Sequence, residues 1–196
     1  MAEAPKKAFL RFSNGHPGLS AREKKVLSKL GEAAKIISSL YLAQKNPRYR
    51  GANFYPSDAT KKEIEIAAKK DTAILSPYTF VERKEGKLVA VPYRVKFQKQ
   101  LLEIAGLLRE AAAFSLDKRF QAYLRARAED LLKDNYDRSN ILWLKTEYSK
   151  ISCVIGPFDR YLDQLFFKKR AYMAWVGILD EQTTNEMRRF KQLILT

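Results

Sequence analysis

Among 196 residues the chain holds one histidine, His16, and one cysteine, Cys153, and those counts bound its chemistry. A structural zinc site takes four Cys or His ligands, and a catalytic site needs three protein ligands and an open position. This pair supplies neither in a conventional form, and no H-E-x-x-H or H-E-x-x-G-H run occurs. A Ser-His-Asp arrangement would have to recruit His16, which sits in the Gly/Pro-flanked run NGHPG, a segment that reads as mobile. P-loop and G-x-G-x-x-G motifs are absent. What remains is an aromatic and acidic cluster, Asp159, Tyr161 and Asp163, within Ile151–Asp180 (ISCVIGPFDRYLDQLFFKKRAYMAWVGILD). On residue type alone, Asp159 and Asp163 can pair with Arg160, Lys168 or Lys169 and do nothing more.

The ends of that stretch read as strands. ISCVIG and AYMAWVGIL are rich in β-branched and aromatic residues, which expects strands over Ile151–Ile155 and Tyr172–Leu179, neighbours in one sheet. Between them Tyr161, Leu162, Leu165 and Phe166 form one apolar side of a helical turn or a long loop.

Upstream, Ser20 with Glu23 three positions on reads as a capping box, and the apolar positions from Val26 predict a helix over Val26–Gln44. A short helix follows over Thr60–Lys70, capped by Ser57 or Asp58. Thr79–Val91 reads as a hairpin turning at Glu85-Gly86, and a hairpin this small must pack on helices. Two strong helices are expected over Phe97–Phe114 and Leu116–Lys133, the second with Asp117 at its anion-favouring end. Arg125 and Arg127 are followed at once by Glu129 and Asp130, so that face reads as solvated. Asp134–Lys150 shows no regular period and reads as irregular. Residues 1–18 read as a flexible basic tail. Glu181–Leu195 reads as an amphipathic helix with Met187, Phe190, Leu193 and Ile194 on one side, with no later element to cover it. The fold class expected is α+β, mainly helical, with a small hairpin and a second small sheet.

Thirty-seven basic against 22 acidic residues leave a net charge of +15. More than half of that excess lies in the first 50 residues, and the rest is spread thinly. A basic protein that binds nucleic acid or acidic partners is the alternative class. Its aromatic residues, however, fall in helical or strand periods and not in a basic stacking pattern. No apolar run of membrane-spanning length occurs, and the N-terminus lacks a secretory apolar region. A single cysteine fits a reducing compartment, so a cytoplasmic location is expected.

The run Ile155, Gly156, Pro157, Phe158, Asp159, Tyr161, Asp163, Leu165 and Phe166, followed by Trp175-Val176-Gly177, resembles dipeptidyl-peptidase III, a family of zinc peptidases, especially its bacterial branch. SPYTFVERKEGKLVAVPY, the Leu19–Gln44 helix, the Tyr55-Pro56-x-Asp58-x-Thr60-x-x-Glu63 passage and LLREAAAFSLDKRFQAYLRARAEDLL extend the likeness over residues 19–196. The resemblance implies one lobe of a two-lobed zincin-like peptidase that removes dipeptides from the N-termini of peptides. In such a protein zinc is held by an H-E-x-x-G-H helix, so this chain would end before the zinc-binding lobe and hold no metal of its own. A separate or missing C-terminal lobe would then be its partner, and a peptide its ligand. The implied peptide-binding residues are Ser152, Val154, Gly156, Asp159 and Tyr161. Ser152 stands where the family has a glutamate that holds the peptide's α-ammonium, and Val154 where it has a Tyr or Thr. Within a Tyr-x-Ser-Asp-x-x-Trp motif, Asn140 stands where the acid is expected.

Overall fold

The computed structural model describes residues 18–146, 149–180 and 182–186. The expectations for the N-terminal tail, for His16, and for Met187, Phe190, Leu193 and Ile194 therefore lie outside the described residues. Only residues 182–186 of the terminal segment are described, and they are helical, with Asp180 Oδ1 accepting from the Thr183 N–H at 2.8 Å.

The longest helix, α1 (Ala21–Gln44), starts at the capping box that its sequence encodes. Ser20 Oγ accepts from the Glu23 N–H, and Glu23 Oε2 accepts from the Ser20 N–H. Its stripe of Val26, Leu27, Leu30, Ala33, Ile37 and Leu40 is buried against α4 (Gln98–Phe114), which contributes Leu101, Ile104, Ala105, Leu108 and Ala112. The short helix α3 (Tyr93–Lys96) leads into α4, and helix α5 (Lys118–Asp130) packs on α4, with Asp117 capping it through the Arg119 and Phe120 amides. Two antiparallel pairs complete the α+β unit. β1 (Thr79–Lys84) pairs with β2 (Lys87–Pro92), and β3 (Ile151–Asp159) pairs with β4 (Ala171–Ile178). Glu85 and Gly86 at the first turn both have positive φ, the conformation a tight two-residue hairpin requires. The hairpin is held by aromatic packing. Phe80 meets Tyr93 at 5.0 Å and Phe97 at 5.4 Å between ring centres, and Phe97 in turn meets Tyr172 of β4 at 5.8 Å.

Two local readings are corrected, and one that left a helical turn or a long loop open is decided for the loop. Helix α2 (Lys61–Lys70) is capped by Thr60, not by Ser57 or Asp58, because Asp58 is drawn to the Arg83 guanidinium at 2.8 Å. The segment read as irregular contains α6 (Asp137–Leu144), which is started by a cap borrowed from α5: Asp130 Oδ2 accepts from the Ser139 N–H at 3.0 Å. The connection between β3 and β4 contains no helix. It is a loop wound around the buried Asp163, which accepts from the amides of Leu165, Phe166, Lys168 and Lys169 and from the Tyr55 hydroxyl. No helix among the described residues is long and apolar enough to cross a membrane.

Asp134 gives a pH signature to this frame. It lies between α5 and α6 at φ 54°, with Oδ2 accepting from the Arg94 N–H. Burial pushes its carboxyl up to about 6, against the pull of Arg94. A carboxyl whose folded value exceeds its unfolded one favours folding at low pH, and that contribution is lost as pH rises through about 6. Asp134→Asn retains an acceptor and a residue type tolerant of positive φ. The variant is expected to gain on the parent in thermal unfolding between pH 4 and pH 7, with a constant difference above that window. A difference that shrinks with rising pH would refute this.

Candidate functional site

Along β3, Ile151, Cys153 and Ile155 point into the core, while Ser152 and Val154 face outward. Across the ribbon Ser152 lies opposite Gly177, Val154 opposite Trp175 and Gly156 opposite Met173. The Trp175 ring lies over Gly177, where a Cβ would come within 2.6 Å of it, and Trp175 is 53% exposed. The outward face is thus a floor of Ser152, Val154 and an aromatic ring.

The outer edge of β3 is already occupied. The Cys153 carbonyl accepts from the Tyr123 hydroxyl at 2.9 Å, and the Ile155 carbonyl from Arg127 Nη1 at 3.3 Å. The edge of β3 is therefore covered by side chains of α5, and its open surface is the outward face.

Between α5, α6 and β3 lies a groove of about 360 Å³, lined by Tyr123, Arg127, Asn140, Trp143, Val154 and Phe158, with Ile141 and Leu144 at its mouth. Arg127 forms its base. The sequence reading put this residue on a solvated face, and that is corrected here: Arg127 is 2% exposed. Its guanidinium sits 4.6 Å from the Phe158 ring centre, 5.4 Å from Tyr123 and 5.5 Å from Tyr136. The Phe158 ring closes over Gly156, whose φ of 148° is open only to glycine, and a Cβ there would meet that ring at 2.6 Å.

Of the residues singled out from the sequence, Ser152, Val154 and Gly156 share this ribbon, and Val154 lines the groove. Asp159 ends β3 opposite Ala171, and Tyr161 lies beyond it. Asp159 Oδ1 accepts from the Tyr161 N–H at 2.7 Å, an Asx-type turn, and the Tyr161 side chain is 84% exposed. The sequence reading did not name Arg127, Asn140, Trp143 or Phe158 as site residues. Asn140 in place of the expected acid was the available signal.

Zinc chemistry does not fit the residues present. Among the described residues there is no group of three potential ligands. Cys153 is fully buried and its thiol is pushed up to about 12, so a thiolate is not available for a metal or as a nucleophile.

No family model matches the chain. Over 90% of its length it superposes on dipeptidyl-peptidase III from Caldithrix abyssi, with a TM-score of 0.84 and 28% identity, covering 43% of that chain. Dipeptidyl-peptidase III from Corallococcus sp. strain EGB is similar over 88% of this chain and 42% of its own, with a TM-score of 0.82 and 28% identity. The chain thus spans less than half the length of these structures, and it matches their N-terminal lobe. Among curated proteins, Nudix hydrolase 3 of Arabidopsis thaliana is 24% identical over 166 residues, which is 71% of this chain and 21% of the plant protein. One fifth of that protein carries no argument from its name.

Proposed function

We propose that this chain, a structural relative of the N-terminal lobe of dipeptidyl-peptidase III, is a peptide-binding lobe that does not itself cut peptides. The superposition on two bacterial dipeptidyl-peptidase III structures over about nine tenths of the chain carries this reading. The peptide lies over the outward face of β3 and β4, with Ser152 and Val154 beneath it and Trp175 and the α6 groove on its flanks. Asp159 and Tyr161, at the turn beyond Gly156, border the same surface. A metal and the water it would activate would, on this reading, have to come from a second lobe.

Peptide affinity is expected to be modest. A charge-assisted hydrogen bond contributes about 1.5–3 kcal/mol, and Ser152 offers no charge to an α-ammonium. The test is a heteronuclear NMR titration of the full chain with an unmodified tetrapeptide. Shifts concentrated at Ser152, Val154, Trp175 and Gly177 are expected, and shifts scattered over basic surface would overturn the assignment. Prepared alone, the chain should retain no stoichiometric zinc after washing with chelator and hydrolyse no dipeptidyl-arylamide. Turnover by a chelator-washed sample that survives His16→Ala would show a catalytic site of a different kind.

A further inference from the structure

We propose that the groove between α5, α6 and β3 binds an apolar ligand bearing a single carboxylate, with the anionic end on Arg127 and the apolar body against Val154, Phe158 and Trp143. The charge balance of the groove is the starting observation. Arg127 is almost fully buried, yet it forms no ion pair among the described residues. The carboxylates of its own helix are engaged elsewhere: Asp130 accepts from the Ser139 amide, and Glu129 pairs with Arg138. A guanidinium has five N–H donors. Here it has two acceptors, the Ile155 carbonyl at 3.3 Å and Asn140 Oδ1 at 2.8 Å, and its Nε has no partner. Three aromatic rings surround it, and their faces attract a cation but bring no counter-charge. Burying a charge without its opposite is unfavourable, and a bound anion removes that penalty.

Asn140 marks where the anion goes. Its side chain is exposed, lines the groove, and offers a neutral oxygen to Arg127 Nη2. A carboxylate oxygen in the same place replaces an ion–dipole hydrogen bond with one between opposite charges and supplies the counter-charge the guanidinium lacks. The rest of the groove is apolar, and at about 360 Å³ it takes a phenyl ring or a short alkyl chain with one polar end. Ile141 and Leu144, both exposed on α6, form its entrance. The same chemistry occurs in a free aromatic or aliphatic acid and in the C-terminal residue of a peptide ending in an apolar side chain.

The site stands apart from the peptide reading because its probes carry no α-ammonium. The full chain is titrated with 4-phenylbutyrate and with 4-phenylbutyramide, then with N-acetyl-alanyl-phenylalanine and its C-terminal amide. The readouts are the Val154 methyl and Arg127 Nε–H resonances. At least one acid is expected to bind tenfold or more tightly than its amide, and the pair that shows it identifies the source. Asn140→Asp supplies the missing counter-charge from within, so it should reduce that acid-over-amide ratio to about one. Because Asn140 is exposed, this variant tests the proposal even if Arg127→Met fails to fold. Equal binding of acid and amide, no binding of either pair at millimolar concentration, or an undiminished ratio in Asn140→Asp would each overturn the proposal.

Discussion

Lys169→Met is expected to destabilise the fold by about 3–5 kcal/mol, because it leaves buried acceptors without donors. Lys169 is fully buried, and its ammonium donates to the Ile74 carbonyl at 2.6 Å, the Ser76 carbonyl at 2.9 Å and Thr79 Oγ1 at 2.7 Å. Those three atoms belong to the segment entering β1 and to its first residue, and Lys169 belongs to the connection that leads into β4. One side chain therefore ties the hairpin to the ribbon that carries the site. Methionine fills a similar volume but satisfies none of the three acceptors, so the loss is one of hydrogen bonding and not of packing. For a chain of this size the melting temperature should fall by about 10 °C or more. There is also a pH signature. Burial pulls the ammonium down to about 7, with Asp163 opposing. Between that value and the ordinary lysine range the unfolded chain binds a proton that the folded chain does not. Stability should thus rise with pH from about 7 toward about 10, and the rise should be absent from Lys169→Met. A variant that melts within about 2 °C of the parent, or that keeps the slope, would show that the tie is not what joins the two sheets.

Gly156→Ala is the second substitution with a large expected effect. Two costs combine at this position. A φ of 148° strains any residue with a Cβ, by about 1–3 kcal/mol. The added carbon would also meet Phe158 at 2.6 Å and Arg127 Nη1 at 3.1 Å, and forcing extra atoms into a packed site costs about 1–3 kcal/mol more. The two responses open to the chain both damage the groove. Either Phe158 swings off the guanidinium, or β3 shifts at the point where Pro157 and Asp159 already mark a register irregularity. The expected result is a loss of about 3 kcal/mol in chemical denaturation, with the Val154 and Trp175 resonances displaced. An alanine variant of unchanged stability and spectrum would mean that the backbone there is not held by this contact.

The sequence was most informative where a local rule fixes a local structure. The capping box at Ser20 and Glu23 forms as encoded, Glu85-Gly86 makes the tight turn, and the β-branched and aromatic run at 151–155 pairs with the one at 172–178. It was least informative where the deciding partner is distant. Helix α6 begins because Asp130, nine positions before Ser139, reaches over to cap it. Arg127 looked solvated because Glu129 and Asp130 follow it, yet its acceptors lie 28 and 13 positions away, on Ile155 and Asn140. The site follows the same division. Ser152, Val154 and Gly156 were singled out through the resemblance to dipeptidyl-peptidase III, while the β-branched pattern alone placed them on a strand. The groove beside them is built from two helices, one of which the sequence did not announce.

The central claim is that the outward face of β3 binds peptide and lacks its ammonium anchor because position 152 is a serine. The most direct measurement is the ratio of dissociation constants for a free and an N-acetylated tetrapeptide, taken for the parent and for Ser152→Glu. The account predicts a ratio near one in the parent. In Ser152→Glu the free peptide should bind about ten- to a hundredfold more tightly, the size of one charge-assisted hydrogen bond. A parent that already discriminates strongly, or a Ser152→Glu variant that gains no preference for the free ammonium, would contradict it.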